Sequence, residues 1–361
     1  MLFYVEDNGF GISVSSQLQT PGGNIAANLR AFSGLSICEG DGADPLEAAE
    51  RIASAVRFVR EQRAPALLRL TVPRLCGHSG QDTQAYKSAE TLARERSNDP
   101  LQRLYRHLVP QRLSDGAWRQ IEREAVRAVE QALERALERP APDPGRVRRY
   151  VFTEHDAAGR LELQEQGGLA PLGVAVAPGG AVAEPEPNRV NMLTAIRRTL
   201  DVELALNPRM VVFGEDVGPK GGVHGATLGL QDRHGAARVF DTSLSEEGII
   251  GRAVGLALAG LLPVPEIQFR KYADPATEQL NDCGTMRWRT ANRFAAPMVV
   301  RIPVGFLKCG DPWHSQTNEV AWVHGIGWRV AVPSNAEDAV GLLRAALRGN
   351  DPTLFLEHRL L

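Results

Sequence analysis

The sequence predicts an α/β protein: two doubly wound parallel-sheet domains, the first incomplete, joined by a charged helical segment and a linker. Three observations predict it. Short apolar runs of strand length alternate with longer segments whose apolar residues recur at helical spacing, as parallel strands connected by helices require. Polar and glycine-containing segments follow the apolar runs, where an open parallel sheet presents its binding edge. Residues 141–187, rich in Pro, Gly, Ala and Glu and without periodicity, separate two such regions and read as a linker. The 361 residues suffice for two cores, in a first domain over 1–140 and a second over 188–361.

In the first region, residues 2–5 form an apolar strand that ends at Glu6-Asp-Asn-Gly-Phe-Gly-Ile-Ser13, and residues 35–38 form a second short run. Asp44-Pro45 opens a helix with Glu47 in the capping-box position, and Leu46, Ala49, Ile52, Ala53, Val56 and Val59 keep helical spacing. Residues 66–72 are the next strand, stopped by Pro73. Residues 99–140 read as helical and heavily charged, with Trp118, Ile121, Ala125, Val129, Ala132 and Ala136 on one apolar stripe that reads as packing surface. A hairpin is expected around 151–164. Gly40-Asp-Gly42 looks like half of a phosphate-and-magnesium motif. No asparagine pair follows it at the expected distance, and it reads as an ordinary turn.

The second region is more regular. Asn191 can cap a helix running to about Leu206. Strands follow at 210–213, 238–240, 264–269, 298–303, 330–332 and 353–356, with helices at 246–261, 275–290 and 336–347 and a long Gly-rich loop after 303.

Composition excludes several classes. A formal charge of −2 on a mixed surface, with only short basic stretches, gives no reason to expect nucleic acid. The four cysteines contain no Cys-x-x-Cys pair, which argues against a zinc site or disulfide framework and fits a reducing cytoplasm. No stretch reaches the ~18–20 apolar residues of a membrane span. The N-terminus has no basic region of a signal peptide before Glu6 and Asp7.

Collecting the residues that follow each strand gathers carboxylates, an imidazole and aromatic rings on one sheet edge. Glu215 and Asp216 follow one strand, Glu246 and Glu247 start a helix after another, and Phe269, Tyr272 and the Trp313-His-Ser-Gln316 segment follow two more. In the first region Asn8 follows one strand, and Cys76-Gly-His78-Ser79 follows another. Each has an ordinary structural reading alone: Glu246 as a helix-capping acid, His314 as a loop histidine. Together they describe an acid/base site beside a flat ring. No nucleophile elbow and no strong metal cluster is present in the sequence.

These segments resemble a known family. Glu6-Asp-Asn-Gly-Phe-Gly-Ile-Ser13 is similar to the second half of the thiamine diphosphate motif in the α subunits of 2-oxo acid dehydrogenases. Arg74-Leu-Cys-Gly-His-Ser79, with Asp82 and Tyr86, resembles their active-site loop. Val212-Phe-Gly-Glu-Asp-Val217, Phe240-Asp-Thr-Ser-Leu-Ser-Glu-Glu-Gly248, Glu266-Ile-Gln-Phe269 and His314-Ser-Gln316 resemble successive segments of the β subunit. The whole resembles a fused α–β decarboxylating component of branched-chain 2-oxo acid dehydrogenase complexes, with both domains of the thiamine diphosphate-binding type.

The resemblance implies thiamine diphosphate and Mg2+ as cofactors. Glu246 would hydrogen-bond the pyrimidine ring, Glu215 would support that side, and Phe269 or Tyr272 would pack against a ring. His314 and His78 would handle protons and orient substrate, with Ser79 at the cofactor, and Asn8 and the Phe10 carbonyl would bind magnesium. The implied reaction is oxidative decarboxylation of a branched-chain 2-oxo acid with acyl transfer to a lipoyl-bearing acyltransferase component. Pyruvate or acetoin chemistry, or a non-catalytic assembly role, are the alternatives. The β-like domain would pair with the α-like domain of another chain, giving a homo-oligomer. Asp7 stands where the family has the first asparagine of a pair. The Gly-Asp-Gly half of the motif would lie upstream of Met1, and a further domain beyond Leu361, as in an internal piece of a longer enzyme or a gene product that has lost both ends. Residues 1–140 alone would expose a raw sheet edge and aggregate.

Overall fold

The structure, a computed structural model, describes residues 1–155, 157–158, 188–306, 312–325 and 327–361. Most of the hairpin expected around 151–164 and most of the linker lie outside the described residues. The chain divides into two compact units, Met1–Pro140 and Ala141–Leu361.

In the first unit, β1 (Leu2–Asp7) leads into a small antiparallel hairpin of β2 (Phe10–Gly11) and β3 (Val14–Ser15), then two single-turn helices, α1 (Ser16–Gln19) and α2 (Ile25–Asn28). β4 (Ser36–Asp41), α3 (Pro45–Gln62) and β5 (Ala66–Thr71) follow, and the three long strands form a parallel sheet in the order β1-β5-β4. Gly40 and Asp41 belong to the end of β4, so only Gly42 of that triplet lies in the turn. Asp44 caps α3, accepting from the Leu46 and Glu47 amides at 3.0 and 3.2 Å. The Glu47 carboxylate turns to Arg51 at 3.3 Å instead of back to the cap, so the capping box is half made. The apolar core is small, built from Ala55, Leu68 and Leu70.

The charged segment is three helices: α4 (Ala89–Ser97), α5 (Pro100–Leu108) and α6 (Asp115–Leu137). The expected single run from 99 breaks because Val109 precedes a proline and is held extended. Apart from Trp118, whose ring packs edge-on to Tyr105 at 5.5 Å, the apolar stripe of α6 is not packing surface within this unit. No α6 residue is buried, and Ile121 and Val129 are 54% and 69% exposed.

The second unit is a six-stranded parallel sheet. Its elements are α7 (Met192–Leu206), β6 (Met210–Gly214), α8 (Leu230–His234), β7 (Val239–Asp241), α9 (Glu246–Leu258), β8 (Leu262–Glu266), α10 (Thr277–Arg289), β9 (Val299–Val304), α11 (Val320–Val323), β10 (Arg329–Ala331), α12 (Ala336–Leu347) and β11 (Thr353–His358). The strand order is β10-β11-β9-β8-β6-β7. Strand residues alternate between two cores, as period-2 geometry demands. Val211, Phe213, Val300 and Ile302 pack with Ile249 and Ile250 of α9 and Leu280 of α10. Met210, Val212, Val299 and Phe355 pack with Ile196 and Leu200 of α7 and Leu343 of α12. Helices therefore cover both faces.

Two boundaries differ from expectation for physical reasons. β8 ends at Glu266, not Phe269. The Leu262 amide donates to Arg209 on the β6 side, so the N–H groups that Pro263 and Pro265 lack are those on the β9 side. The ladder between β8 and β9 shrinks to the pair Glu266↔Arg301, where the Ile267 amide donates to the Arg301 carbonyl at 3.0 Å before the chain leaves the sheet. The helix expected from 275 opens with a 3-10 segment, Arg270–Ala276, before α10. Part of the expected linker also packs on this unit. The Trp288 indole donates to the Val147 carbonyl at 2.9 Å, and Thr153 donates twice to Asp351, each at 2.7 Å.

Candidate active site

The expected site residues fall into two groups, one in each unit. In the second unit, Glu215, Glu246, Phe269, Tyr272 and His314 all follow carboxyl ends of strands. The Thr242 amide extends the β6–β7 ladder by donating to the Gly214 carbonyl at 2.8 Å, which leads the chain to the start of α9. Ser245 does not cap that helix with its side chain. Its hydroxyl donates to Glu247 at 2.9 Å, leaving Glu246 and Glu247 in a first turn of free amides. Glu246 is half-buried.

Glu215 is the electrostatic anomaly of this edge. Burial, then the nearby Glu246 and Asp216 carboxylates, hold its carboxyl above the usual carboxylate range. Its Oε1 is buried without a hydrogen-bond partner, as is the hydroxyl of Thr242. Buried polar atoms without partners cost roughly 1–3 kcal/mol each, which is the mark of a surface shaped for an arriving polar group.

Beside these acids stands an aromatic cluster. The Phe269 ring lies edge-on to His314, with centroids 4.5 Å apart, and to Tyr272 at 5.5 Å. The Tyr272 hydroxyl and His314 Nε2 share a hydrogen bond of 2.7 Å, which orients the imidazole. Two members escaped sequence reasoning. His224 packs edge-on against Phe269 at 5.6 Å, with a buried, unpartnered Nε2. Burial, then Arg359 and Arg301, push its imidazole below the usual histidine range. The available signal was a histidine inside Gly221-Gly-Val-His-Gly225, whose three glycines all have positive φ. Arg359, beyond β11, lies with its guanidinium carbon 5.3 Å from the Phe269 centroid and donates to the Gly305 and His314 carbonyls. The site rests on a buried triad. Arg301 donates to Glu357 at 2.6 and 2.8 Å and to Glu266 at 2.8 Å.

In the first unit, Asn8 and Phe10 sit at the end of β1, and His78 and Ser79 are exposed on the loop after β5. Three contacts tie the two segments together. Arg74 donates to the Ile12 carbonyl, the Tyr86 ring packs 5.6 Å from Phe10, and Lys87 lies 5.0 Å over that same ring while donating to the Arg74 carbonyl at 3.0 Å. Asp82 organises the loop by accepting from the His78 and Gln84 amides and the Tyr86 hydroxyl, at 2.7, 2.9 and 3.0 Å. Those bonds hold its carboxyl below the usual range, the His78 amide contributing most. Asn8 Oδ1 accepts from the Phe10 amide at 3.0 Å, and Asp7 is paired with Arg69 at 2.6 Å. Among the described residues no group of three His, Cys, Asp or Glu side chains is placed to hold a metal ion. No helix among them is long and apolar enough to cross a membrane.

Known proteins share both halves. Residues 1–145 match the dehydrogenase E1 component family, and residues 188–361 match the transketolase, pyrimidine binding domain family. The chain is 46% identical over 169 residues to the 2-oxoisovalerate dehydrogenase subunit beta of Pseudomonas aeruginosa, covering 46% of this chain and 48% of that one. The namesake subunit of Bacillus subtilis is 40% identical over 171 residues, covering 47% and 52%. The pyruvate dehydrogenase E1 component subunit beta of Leifsonia xyli is 39% identical over 180 residues, covering 49% and 53%. The chain thus spans about half the length of the curated relatives it matches. Transketolase from Campylobacter jejuni shares the fold, with a TM-score of 0.59 and 14% identity over 99% of this chain and 51% of its own. Residues 1–145 are thus similar to the dehydrogenase E1 component family and residues 188–361 to the transketolase, pyrimidine binding domain family, and both are built on parallel α/β sheets.

Proposed function

We propose that this chain carries catalytic residues of a thiamine diphosphate-dependent 2-oxo acid dehydrogenase. The proposed reaction decarboxylates a branched-chain 2-oxo acid such as 2-oxoisovalerate and passes the acyl group to the lipoyl domain of an acyltransferase component, in a cytoplasmic homo-oligomer. The observation that carries the reading is the pair of acids at one sheet edge: Glu246 in the first turn of α9 and, within its electrostatic reach, Glu215 with a buried, unpartnered oxygen. That donor-hungry edge fits an aminopyrimidine, which carries N–H groups. The branched-chain preference rests on the names of the relatives.

Thiamine diphosphate, when bound, would supply the acidic ring carbon that adds to a 2-oxo group and the electron sink for loss of carbon dioxide. This chain's residues do the rest. Glu246 Oε would hydrogen-bond the pyrimidine nitrogen, and Glu215, whose carboxyl burial raises, would present a second hydrogen-bonding oxygen. His314, whose Nε2 is bonded to the Tyr272 hydroxyl, would move a proton to or from the substrate oxygen. Phe269 and Tyr272 exclude water and offer flat apolar faces. In the first unit, His78 and Ser79 would orient substrate and cofactor. Magnesium would draw on Asn8 Oδ1 and the Phe10 carbonyl. Asn8 Oδ1 is already engaged by the Phe10 amide, and two neutral oxygens leave most of an octahedral shell unfilled. These residues alone do not make a magnesium site, and no proton transfer is assigned to the ion.

Calorimetric titration of thiamine diphosphate and magnesium into this chain and its Glu246→Gln variant tests the reading. Binding should weaken by 10-fold or more in the variant, on the order of the free energy of a charged hydrogen bond. Equal binding by both proteins would remove the cofactor from Glu246. Turnover with an artificial electron acceptor then separates the substrates: faster reaction with 2-oxoisovalerate than with pyruvate is expected, and the reverse would favour the pyruvate reading.

A further inference from the structure

One side chain closes the neck of the loop that carries His314, and the reaction proposed above does not use it. The Arg359 amide donates to the Val304 carbonyl at 3.0 Å, so its backbone continues beside the end of β9. Its guanidinium then reaches both ends of the loop. Nε and one terminal nitrogen donate to the Gly305 carbonyl at 3.0 and 2.5 Å, and that terminal nitrogen also donates to the His314 carbonyl. The Gly305 amide in turn donates to the Gln316 carbonyl at 3.0 Å. One planar fork thus bridges the points where the loop leaves and rejoins the sheet edge.

The neck admits little adjustment. Gly305 has φ +70°, and a Cβ there would lie 2.2 Å from the His358 ring. The acceptors of Arg359 are backbone carbonyls and none is a carboxylate, so the contact is one of shape and donor number more than charge. The same guanidinium lies over Phe269, whose ring also packs against the His314 ring. Arg359 therefore touches the backbone of His314 and the ring against which its imidazole rests.

We propose that Arg359 is a positioning residue that holds the His314 imidazole against Phe269 and in hydrogen-bond range of Tyr272. Its effect on turnover rests on the function proposed above; its effect on His314 does not.

Two variants of the full chain separate these. Arg359→Met keeps an unbranched though shorter side chain and removes every donor, and Arg359→Lys keeps a donor nitrogen but loses the planar fork. The first readout is cofactor-free: the rate at which His314 is acylated by diethyl pyrocarbonate, followed by peptide mass spectrometry, with the chain's other histidines as internal references. His314 should react several-fold faster in Arg359→Met and to an intermediate degree in Arg359→Lys, while His234, paired with Asp201 at 2.7 Å, should not change. The second readout is turnover with saturating cofactor, where a displacement on the ångström scale should lower kcat by about 10- to 100-fold with a smaller change in KM. Unchanged His314 reactivity in a folded Arg359→Met protein overturns the proposal. If Arg359→Met fails to fold, Arg359→Lys decides, and wild-type His314 reactivity there overturns it equally. An inactive parent chain would count against the proposed function and leave the reactivity result standing.

Discussion

Removing the cation from the buried triad should damage the protein in a way that depends on pH. Arg301 and Glu266 are almost wholly buried, and the guanidinium fork takes both oxygens of Glu357 and one of Glu266 within 2.6–2.8 Å. Burial alone would lower the pKa of Arg301, but the Glu357 and Glu266 carboxylates more than offset it and hold the group above its ordinary value. Burial holds Glu266 above the usual carboxylate range, with Arg301 opposing and Glu357 reinforcing that shift. Arg301→Met keeps most of the volume and leaves two buried carboxylates without a cation. Breaking one partner out of such a cluster costs roughly 3–5 kcal/mol at neutral pH. The sign of the pH dependence follows from linkage. A carboxyl whose folded pKa is raised contributes stability that is present below its unfolded value and lost as pH rises through the folded value. The variant should therefore recover stability on acidification through Glu266, by up to about 1.4 kcal/mol per pH unit. Urea melts followed by circular dichroism between pH about 5 and about 8 measure this directly. A deficit independent of pH would refute the assignment of the cost to unpaired charge. The triple variant Glu266→Gln, Arg301→Met, Glu357→Gln should be more stable than Arg301→Met alone, since it buries no charge.

Other outcomes follow from the same geometry. Glu215→Gln should gain stability relative to the parent as pH rises above about 4.5, because the raised carboxyl loses its stabilising contribution there; urea melts at two pH values check it, and a constant offset would contradict the electrostatic account. Tyr272→Phe removes the 2.7 Å bond to His314 and should slow turnover about 5-fold, the equivalent of roughly 1 kcal/mol, with Phe269 packing intact; an unchanged rate would detach His314 from the reaction. Residues 1–140 expressed alone should aggregate, because their three-stranded sheet has unpaired edges and the α6 stripe is uncovered; a monodisperse, cooperatively unfolding sample would contradict this.

Much of this protein was legible before any coordinates. Helix starts at Asp44 and Asn191 are local events, a side-chain oxygen meeting amides two or three residues on, and the sequence contains all that is needed to place them. The alternation of apolar runs and helical spacing determined the parallel α/β class, and position after a strand end was enough to nominate Glu215, Glu246, Phe269, Tyr272 and His314. What the sequence could not determine is long-range. His224 and Arg359 join the cluster only because the sheet order brings β6, β8, β9 and β11 together, placing residues 135 positions apart around Phe269, as the numbers of these two residues give by subtraction (359 − 224 = 135). The triad beneath exists because parallel register aligns Glu266 with Arg301 and brings β11 alongside β9. The narrow ladder between β8 and β9 required knowing which side of the strand had lost its donors. Amphipathic spacing along α6 showed a face that can pack, but whether a partner surface covers it is decided by tertiary contacts, and within its own unit only Trp118 at its start finds one, the Tyr105 ring. Local hydrogen bonding and periodicity are properties of neighbours in sequence; a site is a property of strand order, and that is set by the energy of the whole core.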